Sequence, residues 1–249
     1  MKFEALASSS AGNLYVVSDA ETMLLLECGL TYKKLRKALD FDMGRISACL
    51  VSHSHADHSK SVPDLIKDGI KVYMSEGTAD SLDVEGAIPI QSMEQFNIGS
   101  LDIIPFEVYH DAAEPLGFLI KSRVDGDVLA FATDTVNLRY KFPGLNILAI
   151  ESNFDPVILS RSEKLPEKTK HRIENTHMSI DVLCDYLRTL DLSACREIYL
   201  LHLSDGMSHE GHFINKVSRV VPPHVKVTAC CREVKPNAKE KGFDGSKVR

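Results

Sequence analysis

The sequence predicts a mixed α/β fold: two β-sheets packed together with helices outside. Three observations predict it. Short apolar, β-branched runs fill the first half and alternate with helix-period segments in the second, an order that suits layered sheets with helices on their outer faces. Of the 249 residues, 44% are hydrophobic and 26% charged, the balance of a globular chain and not of a disordered, collagen-like or coiled-coil one. No Pro/Gly/Ser-rich linker divides the chain, so residues 1–234 are expected to form one domain, with the polar stretch 235–249 as a loose tail.

Taken in order, Lys2 to Leu6, Leu14 to Ser18 and Met23 to Glu27 read as strands of a meander, with turns at Gly12-Asn13 and Ser18-Asp19-Ala20. Thr31 to Leu39 reads as a helix capped by Thr31, with Leu35, Ala38 and Leu39 on one face. Ile46 to Ser52 is a buried strand, Ser61 to Lys67 a helix, Lys71 to Met74 a strand and Glu76 to Leu82 a short helix. Four strands follow: Leu101 to Tyr109, Leu116 to Ser122, Val128 to Thr133 and Asn146 to Glu151. Ile180, Leu183, Cys184, Leu187 and Leu190 recur at helical spacing behind Ser179, an N-cap residue. Glu197 to His202 is a strand, His212 to Val221 a helix stopped by Pro222-Pro223, and Val225 to Cys230 a last strand.

The longest apolar runs, Ala48 to Val51 and Met23 to Leu26, are strand-sized and far short of a membrane span, and the first residues contain no apolar signal segment. A cytoplasmic protein is expected. Cys28, Cys49, Cys184, Cys195, Cys230 and Cys231 form no C-x-x-C pair and sit mostly in apolar runs, as reduced core thiols do. The net charge of −6 argues against a non-specific nucleic-acid coat and leaves a small substrate open.

There are ten histidines, and they cluster. His53-Ser54-His55-Ala56-Asp57-His58 places three imidazoles and a carboxylate directly after the apolar strand. In an extended segment His53 and His55 point the same way and can grip one ion, while Asp57 and His58 can grip a second. Two divalent ions roughly 3.5–4 Å apart can clamp a phosphate or activate a water. His110, Asp134 and His202 each end an apolar run and would supply the remaining ligands.

The set His-x-His-x-Asp-His, then His, Asp and His, resembles the metallo-β-lactamase-fold hydrolase superfamily from Ser8 to about Val234. The resemblance implies a four-layered αββα sandwich with two divalent metal ions at one edge, zinc by its ligand set, manganese or iron as alternatives. It implies that His53, His55 and His110 hold one ion, Asp57, His58 and His202 the other, and that Asp134 bridges them. Finer motifs are similar to a YycJ/WalJ-type nuclease-like branch: Ser8 to Asn13, His110 to Gly117, Thr133-Asp134-Thr135, Glu151 to Asp155, Lys170 to Ile173, and Leu201 to Ser204. His177-x-Ser179 also resembles an element of tRNA-processing endonucleases in which the His assists cleavage without binding metal. The implied activity is metal-dependent phosphodiester hydrolysis by a DNA exonuclease-like nuclease; a phosphodiesterase of cyclic or other small nucleotides is the alternative, and DNA is favoured over RNA. Asp57 and His177 would be catalytic, with Glu27, Asn13, Ser179 and Ser204 supporting the metals or the substrate. Ser179 also reads as a plain helix cap.

Three positions depart from the pattern. Glu27 stands where the superfamily usually has Asp, Thr176 stands where it has Gly, and residues 205–209 replace an Asn-rich segment. His171, His209, His212 and His224 read as surface or pocket-rim residues. The segment from Arg161 to Arg172 holds five basic and two acidic residues, a solvated loop and helix or a phosphate-backbone contact. A homo-oligomer is compatible with the sequence, and no membrane partner is expected.

Overall fold

A computed structural model describes residues 1–230. The expected tail, residues 231–234 of the expected domain and Cys231 lie outside the described residues. Sheet one is built from β1 (Lys2–Ala7), β2 (Leu14–Ser18), β3 (Met23–Leu26), β4 (Ala48–Leu50), β5 (Val72–Met74) and β6 (Ile88–Pro89), in that spatial order. Sheet two runs from β7 (Phe96–Ile98) through β8 (Leu101–Glu107), β9 (Leu116–Ser122), β10 (Val128–Ala132), β11 (Ile147–Glu151) and β12 (Glu197–Leu201) to β13 (Lys226–Ala229). The helices are α1 (Tyr32–Ala38), α2 (Ala56–Ser59), α3 (Val62–Lys67), α4 (Glu76–Leu82), α5 (Pro156–Arg161), α6 (Glu167–Thr176), α7 (Ile180–Leu187) and α8 (Glu210–Ser218).

Three apolar clusters define four layers. Tyr15, Val17, Leu24, Leu26 and Leu50 of sheet one meet Ile103, Phe118, Ile120, Phe131 and Ile147 of sheet two in the central cluster. Alternate residues point outward: Leu25 and Cys49 pack beneath Leu35 of α1 and Val62 and Leu65 of α3, and Leu148 and Ile150 pack beneath Leu183 of α7 and Phe213 of α8. Strands covered on both faces must be apolar throughout, which is why β3, β4, β10 and β11 carry unbroken apolar runs. The expected αββα sandwich is the architecture observed.

Register decides where chemistry can sit. β10, β11 and β12 are parallel, with Ala132 opposite Ile150 and Ile150 opposite Leu200. The residues just past those pairs, Asp134, Glu151 and His202, therefore emerge together at one edge of sheet two. In sheet one Leu26 lies opposite Leu50 in parallel β3 and β4, so Glu27 and the segment from Ser52 emerge at the equivalent edge. Leu116 N–H donates to the Ser52 carbonyl at 2.9 Å and ties the two edges together.

Local chemistry explains several helix starts. Ser179 Oγ accepts the Val182 N–H at 3.2 Å, the expected cap of α7. Asp155 caps α5 with Pro156 in its first turn. Thr31 occupies the N-cap of α1 without a side-chain hydrogen bond, so its expected capping role is only positional. The strand expected to run to Tyr109 stops at Glu107, and α8 spans Glu210–Ser218 in place of His212 to Val221 because His209 Nδ1 accepts the His212 N–H at 3.2 Å and starts the helix earlier. β6, β7, α2 and α5 were not foreseen, and α6 lies partly in the segment from Arg161 to Arg172 read as a solvated loop and helix. Among the described residues no helix is long and apolar enough to cross a membrane. Cys28, Cys49, Cys184, Cys195 and Cys230 are all buried, as expected of core thiols.

Candidate metal centre

The His53–His58 segment leaves β4 and turns into the single-turn helix α2. Its backbone is clamped from sheet one: Asn13 N–H donates to the Asp57 carbonyl at 2.8 Å and Cys28 N–H to the His58 carbonyl at 2.8 Å. Gly29 packs so tightly here that a Cβ on it would stand 1.6 Å from the Asp57 carbonyl oxygen. Only glycine fits beneath this loop.

The imidazoles converge. His55 Nδ1 stands 3.2 Å from His53 Nε2 and 3.1 Å from His110 Nε2. Asp134 Oδ2 lies 3.5 Å from His110 Nε2 and 3.9 Å from His53 Nε2. Asp134 Oδ1 turns the other way, 3.4 Å from His58 Nε2 and 3.1 Å from His202 Nδ1. Asp57 Oδ2 closes that second group, 3.4 Å from His58 Nε2 and 3.3 Å from His202 Nε2. Donors on a tetrahedral ion with bonds of roughly 2.0–2.1 Å stand about 3.3 Å apart, so these separations fit the edges of coordination polyhedra. All seven residues singled out as ligands are brought together: His53, His55, His110 and Asp134 form one donor group and Asp57, His58 and His202 another, and a third, Asp134, Glu151, His177 and His202, shares a residue with each.

Electrostatics separate the groups. Burial pushes the pKa of His53 well down, helped by the charge of His58, and burial likewise lowers that of His110. For His58 burial acts downward but is overcome by Asp134, Asp57 and Glu27, which hold it well above its ordinary value. His202 is pushed up to about 10, because Asp134, Asp57 and Glu151 outweigh burial. Asp57 stays below the ordinary carboxylate range: burial opposes this, but hydrogen bonds from His202 and His58 prevail. Burial thus favours the neutral imidazole at His53 and His110, while the second group is a network of ion pairs.

His177 lies at the same edge. Its Nδ1 donates to Glu151 Oε1 at 2.6 Å, and Glu151 Oε2 accepts the Thr135 and Met178 N–H groups at 2.7 and 3.0 Å. Burial would lower the pKa of His177, but the charge and hydrogen bond of Glu151 raise it. Glu151 belonged to a recognised motif without being assigned a role. The available signal was a carboxylate closing an otherwise apolar buried strand, the pattern also seen at Asp134. His110 Nδ1 donates to the Thr176 carbonyl at 2.7 Å, a main-chain contact that does not require the usual glycine at that position.

The supporting residues divide. Glu27 is fully buried and accepts from the Ser52 N–H at 3.3 Å, and its Oε2 stands 3.5 Å from His58 Nδ1 as a charge contact. Burial raises the pKa of Glu27. Asn13 Nδ2 donates to the Asp57 carbonyl at 3.1 Å and lies 3.1 Å from His58 Nε2, while Asn13 Oδ1 accepts the Tyr15 hydroxyl at 3.0 Å. Ser8 Oγ, part of the recognised Ser8 to Asn13 motif but given no role there, bonds Tyr15 at 2.8 Å and accepts the His202 N–H at 2.8 Å. Ser179 is a helix cap, and Ser204 takes part through its main chain, its N–H donating to the Asn153 carbonyl at 2.9 Å. His212 pairs with Asp155 at 3.3 Å, away from the donors. Glu27, Asp134 and His202 all adopt left-handed backbone (φ 65°, 40° and 51°), conformations that L side chains rarely take.

A model described as the beta-lactamase superfamily domain matches residues 22–203. Exodeoxyribonuclease YycJ of Bacillus anthracis is 32% identical over 221 residues, 82% of this chain and 83% of that protein. Exodeoxyribonuclease WalJ of Streptococcus pneumoniae is 30% identical over 228 residues, 82% of this chain and 81% of the relative. The crystal structure of human tRNase Z, short form, shares the fold with a TM-score of 0.62 at 14% identity, covering 94% of this chain and 98% of that one. Matching sequence, fold and a clustered His/Asp donor set make this chain a member of the beta-lactamase superfamily, a metal-dependent hydrolase.

Proposed function

We propose that the protein is a nuclease that hydrolyses phosphodiester bonds at DNA ends, using two divalent ions. His53, His55 and His110 would hold one ion and Asp57, His58 and His202 the other, with Asp134 facing both groups. Zinc suits the imidazole-rich set, and manganese or iron would also be accepted. Such ions supply Lewis acidity: they acidify water and offset charge on the phosphate. Asp57 orients the attacking water and takes its proton. His177, with Nδ1 committed to Glu151, keeps Nε2 for the leaving oxygen and donates a proton there. Glu151 fixes the ring and favours its protonated form.

The observation that carries this reading is the His177–Glu151 pair at 2.6 Å beside the donor cluster. An alkoxide is a poor leaving group and needs a cationic acid at that place. The names of the YycJ and WalJ relatives, at 32% and 30% identity, support DNA as the substrate. Ligands drawn from both sheets favour one domain, and buried thiols favour a reducing compartment such as the cytoplasm. The test is a substrate panel for the purified protein with manganese or zinc: end-labelled duplex and single strands, RNA, cyclic nucleotides and a bis-aryl phosphodiester. Mononucleotides released from DNA ends are expected. Activity confined to cyclic nucleotides or small diesters would replace this reading with a small-nucleotide phosphodiesterase.

A further inference from the structure

The surface around His110 is electrically two-sided. One flank leads along the loop through Glu114 into a groove of about 810 Å³ whose lining includes Glu76, Glu94, Glu107 and Glu114. A polyphosphate would be repelled there. The other flank leads through Thr176, whose carbonyl holds His110, into α6.

α6 carries Lys168, His171, Arg172 and Asn175 exposed on one face, by their spacing of three and four residues. Glu167 and Glu174 fall on another face, where Glu167 engages Lys170 at 2.8 Å. Lys168 makes no ion pair among the described residues, nor do the exposed Lys164 and Arg161 just before the helix. Arg172 grips Asp111 with two hydrogen bonds, Nε to Oδ2 at 2.8 Å and Nη2 to Oδ1 at 3.1 Å, and Asp111 Oδ1 is 3.3 Å from His110 Nε2. A guanidinium fork that holds a carboxylate in this way also matches a phosphate.

We infer that this face of α6, with Lys164 and Arg161 before it, is a docking surface for the sugar–phosphate backbone of a nucleic-acid strand whose reacting phosphodiester lies at the donor cluster. The inference rests on the nuclease reading above and deepens it by assigning the path of the strand: along α6 and away from the glutamate-lined groove. Lys168 precedes His177 by nine residues, about 13 Å of helix axis. At about 3.4 Å per nucleotide this corresponds to roughly four nucleotides beyond the cleavage point.

The test uses Lys164→Ala/Lys168→Ala and the reversal Lys168→Glu, with folding checked by circular dichroism. An end-labelled 20-mer and a bis-aryl phosphodiester are hydrolysed in parallel between 50 and 200 mM salt. The ratio of kcat/KM for the 20-mer to that for the small diester is expected to fall about tenfold in the double variant, through KM. The salt dependence of log(1/KM) should flatten by about 1–2, the loss of two backbone contacts. Lys168→Glu should lower the ratio further. A ratio and salt slope unchanged from wild type, with the wild type degrading the 20-mer, would overturn the docking surface alone. A wild type that turns over the small diester but no polymer would bring down the nuclease reading itself, and the docking surface with it.

Discussion

The two sheets deliver their donors in opposite ways. Sheet one delivers four on one continuous loop, His53 to His58, held by backbone: N–H groups of Asn13 and Cys28 bond the carbonyls of Asp57 and His58, and Gly29 lies against the loop. His110, Asp134, Glu151 and His202 at the edge of sheet two, with His177 between α6 and α7, come from separate segments and are held by a mixture of backbone and side-chain bonds, among them Thr133 Oγ1 on Asp134 and Ser8 Oγ on the His202 N–H. The difference teaches that a loop clamped through its backbone tolerates little change in space, whereas dispersed donors tolerate little change in charge.

The largest effect tests the shared ligand. Asp134→Ala leaves His58 and His202 facing each other without their common carboxylate. It should reduce bound metal, read by elemental analysis, to well below one ion per chain and abolish turnover; near-full occupancy would show that the dispersed donors do not depend on it. Next comes the backbone clamp. Gly29→Ala should cost about 3 kcal/mol through overpacking, seen as a lowered denaturation midpoint, together with reduced metal affinity. A midpoint equal to wild type would mean that the loop yields easily.

His177→Ala separates chemistry from metal holding. Metal content should persist while kcat on DNA falls roughly 10²–10⁴-fold, the usual worth of a general acid. Unchanged turnover would remove His177 from the mechanism.

The smallest effect lies far from the centre, where the sheets are latched. Asp19 Oδ2 accepts from Ser100 and Ser122 at 2.7 and 2.8 Å, and Oδ1 accepts the Glu21 and Thr22 N–H groups. Burial opposes ionisation here, but these bonds, led by that of Ser100, lower the pKa of Asp19 to about 2. A depressed folded-state value stabilises the fold above the unfolded value near 4 and loses that contribution as pH falls toward 2. Asp19→Asn should therefore cost about 1 kcal/mol near pH 7 and flatten the acid limb of a stability–pH curve between about 4 and 2. An unaltered acid limb would show that the latch does not titrate.

The loop half of the centre was legible because a metal ion demands donors within a few ångströms, and the cheapest arrangement is within a few residues. The dispersed half was legible only as polar residues closing apolar strands, given meaning by the family resemblance. Glu151 escaped because its role depends on parallel register among β10, β11 and β12, which no local pattern encodes. Ser8 and Tyr15 escaped for a similar reason: their bonds bridge segments distant in sequence. α6 was legible only as a solvated loop and helix from Arg161 to Arg172, without bounds, because Thr176 is its one buried side chain and it lacks an apolar stripe. β6 and β7, two and three residues long, are held by neighbours more than by their own propensity.

The split delivery of donors also has a consequence in time. A chain emerging from the ribosome exposes His53, His55, Asp57 and His58 long before β12 exists, yet His202 and Asp134 complete the second donor group only once parallel strands from the far end have paired. Non-local pairing of this kind is a late and slow event in folding. A half-made chain holds most of the proposed ligands but not the full set, so metal loading and hydrolysis are expected only once both sheets have closed.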